Sequence, residues 1–289
     1  MVLTDINDIR ELLSRHGFHF SKSLGQNFLI APWVPERIAE SACLDGQSGV
    51  LEVGPGIGCL TEQLSMRAGK VVSVELDKAL KPILKETLSG KENVEILFAD
   101  ALKLDLNGLV EEKFAGLTPR VCANLPYNVT TPLLTAFIEC EKVETITVML
   151  QREVARRICA KPDCADYGAF GVFVQWHMET ELLFDVPPSC FIPQPKVTSS
   201  VIRLTRRSEK PAPVKDEALM MRLVRAAFNQ RRKTLVNAIS SQLGGITKEQ
   251  AAAVLEKCGY DARIRGESLD IGGFAKISDE LTNIFHADL

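Results

Sequence analysis

Val50-Leu-Glu-Val-Gly54-Pro-Gly56-Ile-Gly58 is an apolar run that breaks into alternating glycines. The run reads as a buried strand over Gly49–Val53, and Leu60–Arg67 behind it carries helical spacing. Glycines let a chain turn sharply and let a ligand approach main-chain N–H groups. Gly54-x-Gly56-x-Gly58 departs from the dinucleotide pattern G-x-G-x-x-G, whose last position would fall on Cys59. No pyrophosphate cradle is demanded here.

The same alternation continues downstream. Lys70–Glu75, Val94–Phe98, Arg120–Ala123 and Thr145–Leu150 read as strands, with helices at Ala79–Leu88 and Pro132–Glu139 between them. This order predicts an α/β fold, a doubly wound and mostly parallel sheet with helices on both faces. Glu181–Val186 and Ser199–Thr205 follow as two strands with no helix between them, only the proline-rich turn Pro187–Pro195. They are expected to close a sheet edge as an antiparallel pair. Lys210–Pro213 reads as a linker, and from Asp216 onward the pattern is helical.

Two acidic residues stand in register with the glycine turn. Glu75 ends the strand after it and Asp100 follows the strand after that. A carboxylate in the first position accepts the hydroxyls of a ribose, and one in the second can accept from an adenine amine. Two carboxylates behind a glycine turn would repel an anion, so they suit a nucleoside without phosphates. S-adenosylmethionine, with its sulfonium cation, meets that description. An ordinary strand-to-helix turn with surface acids would look the same without the register.

Asn124-Leu125-Pro126-Tyr127 follows the fourth strand, where ligands of open α/β sheets bind. The adenine amine is a poor nucleophile because its lone pair is delocalised into the ring. Accepting both of its N–H hydrogens returns that lone pair to nitrogen. The Asn124 side-chain carbonyl and the Leu125 backbone carbonyl suit this task, Pro126 stiffens the turn, and Tyr127 offers a face for an unstacked base. Histidines 16, 19, 177 and 286 all lie elsewhere in the chain. Phe191, in a loop rigidified by Pro193 and Pro195, is the candidate for the opposite wall of a base slot, or else an ordinary core phenylalanine.

The 289 residues are 46% apolar and 25% charged, which excludes a mainly disordered, collagenous or coiled-coil chain. No run approaches the ~20 apolar residues of a membrane span, and Met1–Leu13 has no apolar signal core. Eight scattered cysteines without a C-x-x-C pair suggest reduced, buried thiols of a cytosolic protein and no metal site. Residues 1–189 carry a net charge of −8 and residues 190–289 a net of +5. Ten of the basic residues fall within 203–233. A polyanion responds to such a local field, which decays over ~8–10 Å, more than to the overall balance.

Taken in order, Lys22-Ser-Leu-Gly-Gln-Asn27-Phe-Leu29, Glu52–Gly58, Asn124–Asn128, Phe191-Ile-Pro-Gln-Pro-Lys-Val and Phe228-Asn-Gln-Arg231-Arg232-Lys233-Thr234 resemble the KsgA (RsmA) family, the bacterial 16S ribosomal RNA adenine N6-dimethyltransferases. The likeness runs from about residue 20 to 285. It implies a Rossmann-like class I methyltransferase domain over 1–208 and a small all-helical RNA- and ribosome-binding domain over 209–289. It implies methyl transfer from S-adenosylmethionine, without a metal, to N6 of two adjacent adenines near the 3′ end of 16S rRNA. The partner would be an assembling 30S subunit, the chain monomeric and cytoplasmic. Cofactor contacts would be Asn27, Leu29, Gly54, Gly56, Glu75, Asp100 and Asn124. Asn124, Leu125, Pro126, Tyr127 and Phe191 would form the catalytic set. Arg222, Arg225, Arg231, Arg232 and Lys233 would track RNA phosphates. Gly171 departs from the pattern, which has a serine there. A large-subunit adenine dimethyltransferase of the antibiotic-resistance type shares most of these motifs. A non-catalytic ribosome-assembly factor and, more distantly, an NAD-dependent oxidoreductase are the other readings.

Overall fold

In the computed structural model, residues 1–21 and 24–287 are described, the side chains of 285–287 excepted. Lys22 and Ser23 of the first motif, and the side chain of His286, lie outside them.

Among the described residues nine strands form: β1 Phe28–Leu29, β2 Ser48–Val53, β3 Lys70–Glu75, β4 Val94–Phe98, β5 Thr118–Asn124, β6 Thr145–Gln151, β7 Met178–Val186, β8 Phe191–Ile192 and β9 Ser199–Arg206. Seven build the main sheet in the order β4-β3-β2-β5-β6-β9-β7. Neighbours from β4 to β6 are parallel, and β9 runs antiparallel to β6. Every residue of β2 is buried, as a central strand covered on both faces requires. The chain winds from β2 out to β4, then returns to the other side of β2 as β5. The switch point of the sheet thus lies between β2 and β5, and their carboxyl ends carry Gly54–Gly58 and Asn124–Tyr127.

Helices α1 Ile6–Arg15 and α2 Trp33–Ser41 precede the sheet. Helices α3 Cys59–Ser65, α4 Lys81–Thr87, α5 Leu106–Lys113 and α6 Thr130–Glu139 connect its parallel strands. The sequence patterns missed α1, α2 and α5. They also read the Pro187–Pro195 stretch only as a turn. In the structure β8 leaves that stretch and pairs antiparallel with β1, setting Leu29 opposite Phe191.

Chain contacts define two compact units: Met1–Ala155 with Glu179–Arg206, and Arg156–Met178 with Arg207–Leu289. The second differs from the linear division expected at 208/209. Residues 156–178 span the end of α7 (Arg152–Cys159) and all of α8 (Ala169–His177), and they group with the C-terminal helices. The reason is apolar. Tyr167 and Trp176 are fully buried in one core with Leu223, Phe274 and Leu281. The Tyr167 hydroxyl donates to the Leu269 carbonyl at 2.9 Å, and the Asp163 carboxylate accepts from the Ser268 hydroxyl at 2.6 Å.

That unit is completed by α9 Glu217–Asn229, α10 Leu235–Gln242, α11 Lys248–Lys257 and α12 Ile271–Ala287. Helices α9, α10 and α11 start on side-chain caps. Asp216 accepts from the Leu219 N–H, and Thr247 with Gln250 forms a reciprocal capping box. Thr234, the last residue of the Arg-Arg-Lys-Thr motif, caps α10. Among the described residues no helix is long and apolar enough to cross a membrane.

Candidate active site

One deep cleft opens at the switch point, and all of its walls belong to the first unit. Its floor is the glycine turn. Gly54, Gly56 and Gly58 have φ of +73°, +59° and +97°, a region that L side chains enter only with strain. The Gly54 N–H donates to the Val74 carbonyl of β3 at 3.0 Å. A Cβ on Gly56 would lie 3.2 Å from the Phe28 ring, so the turn also sits close under the segment that leads into β1.

Glu75 lies on the next strand end, only 6% exposed. Its Oε1 accepts the Asp77 N–H at 2.7 Å. Burial raises its carboxyl above the usual range, and backbone N–H groups of Asp77 and Gly56 pull the other way. Asp100 caps the short turn after β4 by accepting from the Leu102 N–H, and its other oxygen stands 3.5 Å from the Lys103 ammonium. Beside these two carboxylates, Leu76 and Leu102 are 54% and 43% exposed. Two uncovered apolar side chains next to two hydrogen-bond acceptors form a place for a flat aromatic ring with polar edges.

The tetrapeptide forms the other bank. The Leu125 N–H donates to the Met149 carbonyl of β6 at 3.0 Å. This anchors the turn through its donor and leaves the Leu125 carbonyl for other use. Pro126 has φ −60° and ψ 128° and opens a single 3-10 turn over Tyr127–Val129. The Thr130 hydroxyl donates back to the Pro126 carbonyl at 3.1 Å. No side-chain hydrogen bond among the described residues engages Asn124. The Tyr127 hydroxyl is 2.6 Å from the Ser199 hydroxyl. Burial raises the phenol's pKa and the Ser199 contact opposes the rise.

The structure therefore brings Asn27, Leu29, Gly54, Gly56, Glu75, Asp100 and Asn124 to one cleft with Leu125, Pro126 and Tyr127. Asn27 donates its side-chain amide to the Gly25 carbonyl at 2.9 Å, which holds its own loop. Phe191 is placed otherwise. It is 1% exposed, packs in the apolar core beside Leu29, and does not line the cleft. In this conformation its ring shows no open face.

Sequence reasoning missed two cleft residues. Gln26 donates to the Asp77 carboxylate at 2.7 Å and accepts from the Ser21 N–H at 2.8 Å. It ties the segment before β1 to the loop behind Glu75. Glu52 is fully buried beneath the glycine turn, where its Oε2 accepts from Thr61 at 2.7 Å and Ser73 at 2.6 Å. Burial raises its carboxyl to about 7, against those two hydroxyls, and the charge of Glu75 adds to the rise. Glu52 stood in the decisive motif, but its neighbours in the chain gave no sign of a buried carboxyl.

The electrostatic character follows from the lining. Glu75 and Asp100 face the cleft, with the Glu52 carboxyl buried behind its glycine turn, and no lysine, arginine or histidine lines it among the described residues. A phosphate has no counter-charge there, whereas a cation is welcome. No group of three potential metal-ligating residues occurs among the described residues.

In the second unit the basic candidates divide. Arg231 is occupied: it pairs with Glu267 at 2.7 Å and donates to the Cys164 carbonyl at 3.1 Å. Arg222 reaches the Leu243 carbonyl at 3.3 Å. Arg225, Arg232 and Lys233 are exposed, and no side-chain partner holds them among the described residues.

Comparison with known proteins agrees with this geometry. The ribosomal RNA adenine dimethylase family matches residues 17–281. Ribosomal RNA small subunit methyltransferase A of Geobacillus thermodenitrificans is 48% identical over 280 residues, 96% of each chain. The crystal structure of the 23S rRNA methyltransferase ErmE is 28% identical, with a TM-score of 0.67 over 88% of this chain and 99% of that one. A dimethyladenosine transferase from Plasmodium falciparum shares the fold at a TM-score of 0.75 and 24% identity, over 90% of this chain and 98% of that one. With its parallel sheet, its cleft at the switch point and this extent of likeness, the chain belongs to the ribosomal RNA adenine dimethylase family.

Proposed function

We propose that the protein transfers methyl groups from S-adenosylmethionine to N6 of two adjacent adenines in the 3′-terminal hairpin loop of 16S rRNA. The observation that carries this is a cleft with carboxyl groups and, among the described residues, no basic side chain, bordered by an intact Asn124–Tyr127 turn. The cofactor, when bound, supplies an electrophilic methyl group on a sulfonium. Everything else falls to the chain. Glu75 receives ribose hydroxyls and Asp100 an adenine amine, while Leu76 and Leu102 cover the ring. The glycine turn lets the ligand lie against main chain. Asn27 and Leu29 shape the wall opposite.

At the reacting edge, Asn124 and Leu125 each offer a carbonyl to one N–H of the target amine. As the methyl transfers, positive charge develops on that nitrogen, and two preoriented dipoles stabilise it without moving. Asparagine takes no proton at neutral pH, so the proton leaves by way of solvent rather than to a side-chain base. Tyr127 supplies a stacking face for the extruded base. Phe191 serves as a second wall only after its ring is uncovered, since it is buried here.

Arg225, Arg232 and Lys233 contact RNA phosphates, with Arg222 adding a partly engaged guanidinium. Arg231 contributes chiefly by holding the motif in place. The reading takes the chain as a cytoplasmic monomer. The small-subunit assignment rests on relatives of 48% identity bearing that name, against 28% for the 23S enzyme.

The test is methylation of purified particles with labelled cofactor. Undermethylated 30S particles are expected to gain dimethyladenosine near the 3′ end of 16S rRNA. Preferential labelling of 50S particles would assign the chain to the large subunit. No transfer to either particle would reduce it to an assembly factor.

A further inference from the structure

We propose that Ser199 is a positioning residue for methyl transfer, holding the Tyr127 ring in the attitude that receives the target base. The proposal rests on the reading of Tyr127 as a stacking face. Its own evidence is a contact that no spacing in the chain would suggest. Ser199 begins β9, opposite Gln151 of β6, and is fully buried. Its hydroxyl lies 2.6 Å from that of Tyr127, at the short end of the range for O–H···O bonds. Tyr127 sits on the single 3-10 turn that precedes α6, ahead of the regular helix.

The phenol oxygen lies on the long axis of the ring. Holding that atom fixes the direction in which the ring points, which is the χ1 torsion of Tyr127. Without the anchor the ring can swing between staggered χ1 wells and leave the position it holds in the cleft wall. Stacking energy depends on that alignment, and a displaced platform lets the amine drift from Asn124 and Leu125. Misplacement of a reacting group by about 1 Å can cost ~10²-fold in rate.

The neighbouring serine provides an internal contrast. Successive side chains of a strand point to opposite faces. Ser200 accordingly turns away from Tyr127 and donates to the Asp185 carboxylate at 2.5 Å. The two residues have the same chemistry and equal burial, yet only one meets the phenol.

A double-mutant cycle in single-turnover methylation of 30S particles tests the assignment. Ser199→Ala is expected to lower the rate at saturating particle concentration roughly tenfold, the size of one lost buried hydrogen bond. It should leave the KM for particles and the calorimetric affinity for S-adenosylmethionine near wild type. Tyr127→Phe should show a similar loss, and the double variant no further one. Ser200→Ala should methylate like wild type. An undiminished Ser199→Ala loss in the Tyr127→Phe background would overturn the proposal, as would a parallel fall in cofactor affinity. If Tyr127→Ala methylates at the wild-type rate, the stacking role of Tyr127 fails first and the proposal falls with it.

Discussion

Asn124 and Glu75 face the same cleft, and in the proposed mechanism they act on different steps that single substitutions separate. Asn124→Ala removes one acceptor whose strongest interaction arises only as charge builds on the amine. The single-turnover rate should fall ~10²–10³-fold while cofactor affinity holds. Glu75→Ala removes charge-assisted hydrogen bonds to the ground-state ligand, so calorimetry should show affinity weakened by roughly 1.5–3 kcal/mol. A near wild-type rate for Asn124→Ala would displace the reacting centre from this turn. Glu52 makes a pH-dependent contribution. Its carboxyl titrates at about 7 in the folded chain and near 4.5 otherwise, because burial disfavours the charge. Over that window the folded state holds a proton that the unfolded state has released. Stability from this group is complete below about 4.5 and is lost as pH rises toward 7, by about 3 kcal/mol in all. Both hydroxyls donate to one oxygen, which a glutamine can still offer. The melting temperature of Glu52→Gln relative to wild type should therefore climb between pH 5 and 8. A difference that stays constant with pH would rule out a buried carboxyl titrating there.

Among the elements, α7 and α8 explain the departure at Gly171. A Cβ there would stand 2.5 Å from the Arg157 carbonyl oxygen of α7, closer than real Cβ atoms come. The same approach lets the Gln175 amide satisfy the Ile158 carbonyl at 2.7 Å and the Ala160 carbonyl at 2.9 Å. A serine at 171 would force the helices apart and strip those carbonyls. Helix propensity alone favours alanine over glycine by ~1 kcal/mol, but overpacking costs ~1–3 kcal/mol. Gly171→Ala and Gly171→Ser should both lower the denaturation midpoint, and a stabilised Gly171→Ala would contradict the packing. This pair also marks where the sequence stops being readable. The parallel strands were legible as short apolar runs, so buried β3 and half-buried edge strand β4 match their expected bounds at Lys70–Glu75 and Val94–Phe98. The convergence of the glycine turn, Glu75 and Asp100 on one cleft was legible because they recur at successive strand ends. The grouping of 156–178 with the distant C-terminal helices was not, because it depends on what Tyr167 and Trp176 bury against. Nor was the pairing of Leu29 with Phe191, a two-residue ladder too short to leave a period. It took Phe191 out of the cleft and into the core.

At the scale of the molecule the charge asymmetry read along the chain persists, somewhat reduced, between the two units. The sheet unit holds 18 basic and 24 acidic residues, the helical unit 16 and 13. The sheet unit is thus net negative, and among the described residues the charged groups lining its cleft are all carboxyls. Such a unit attracts a cationic cofactor and repels RNA. Attraction to the ribosomal particle must come from local basic groups, and the exposed Arg225, Arg232 and Lys233 are available for it. Each phosphate contact releases condensed counterions, so binding should weaken linearly on a logarithmic salt scale, with a slope of ~0.7–0.9 per contact. Replacing Arg232 and Lys233 together with alanine should reduce that slope by roughly 2 and weaken particle binding most at low salt. The affinity for S-adenosylmethionine should be unchanged, since neither residue lines the cleft. Replacing Arg231 should act differently. Its guanidinium already serves Glu267 and the Cys164 carbonyl, so Arg231→Ala should lower the melting temperature and leave most of the salt slope intact. Titrations of 30S binding from 50 to 200 mM salt distinguish the two. An unchanged slope in the Arg232→Ala, Lys233→Ala protein would show that the particle is held by other groups, and a slope lost in Arg231→Ala would make that residue a phosphate ligand after all.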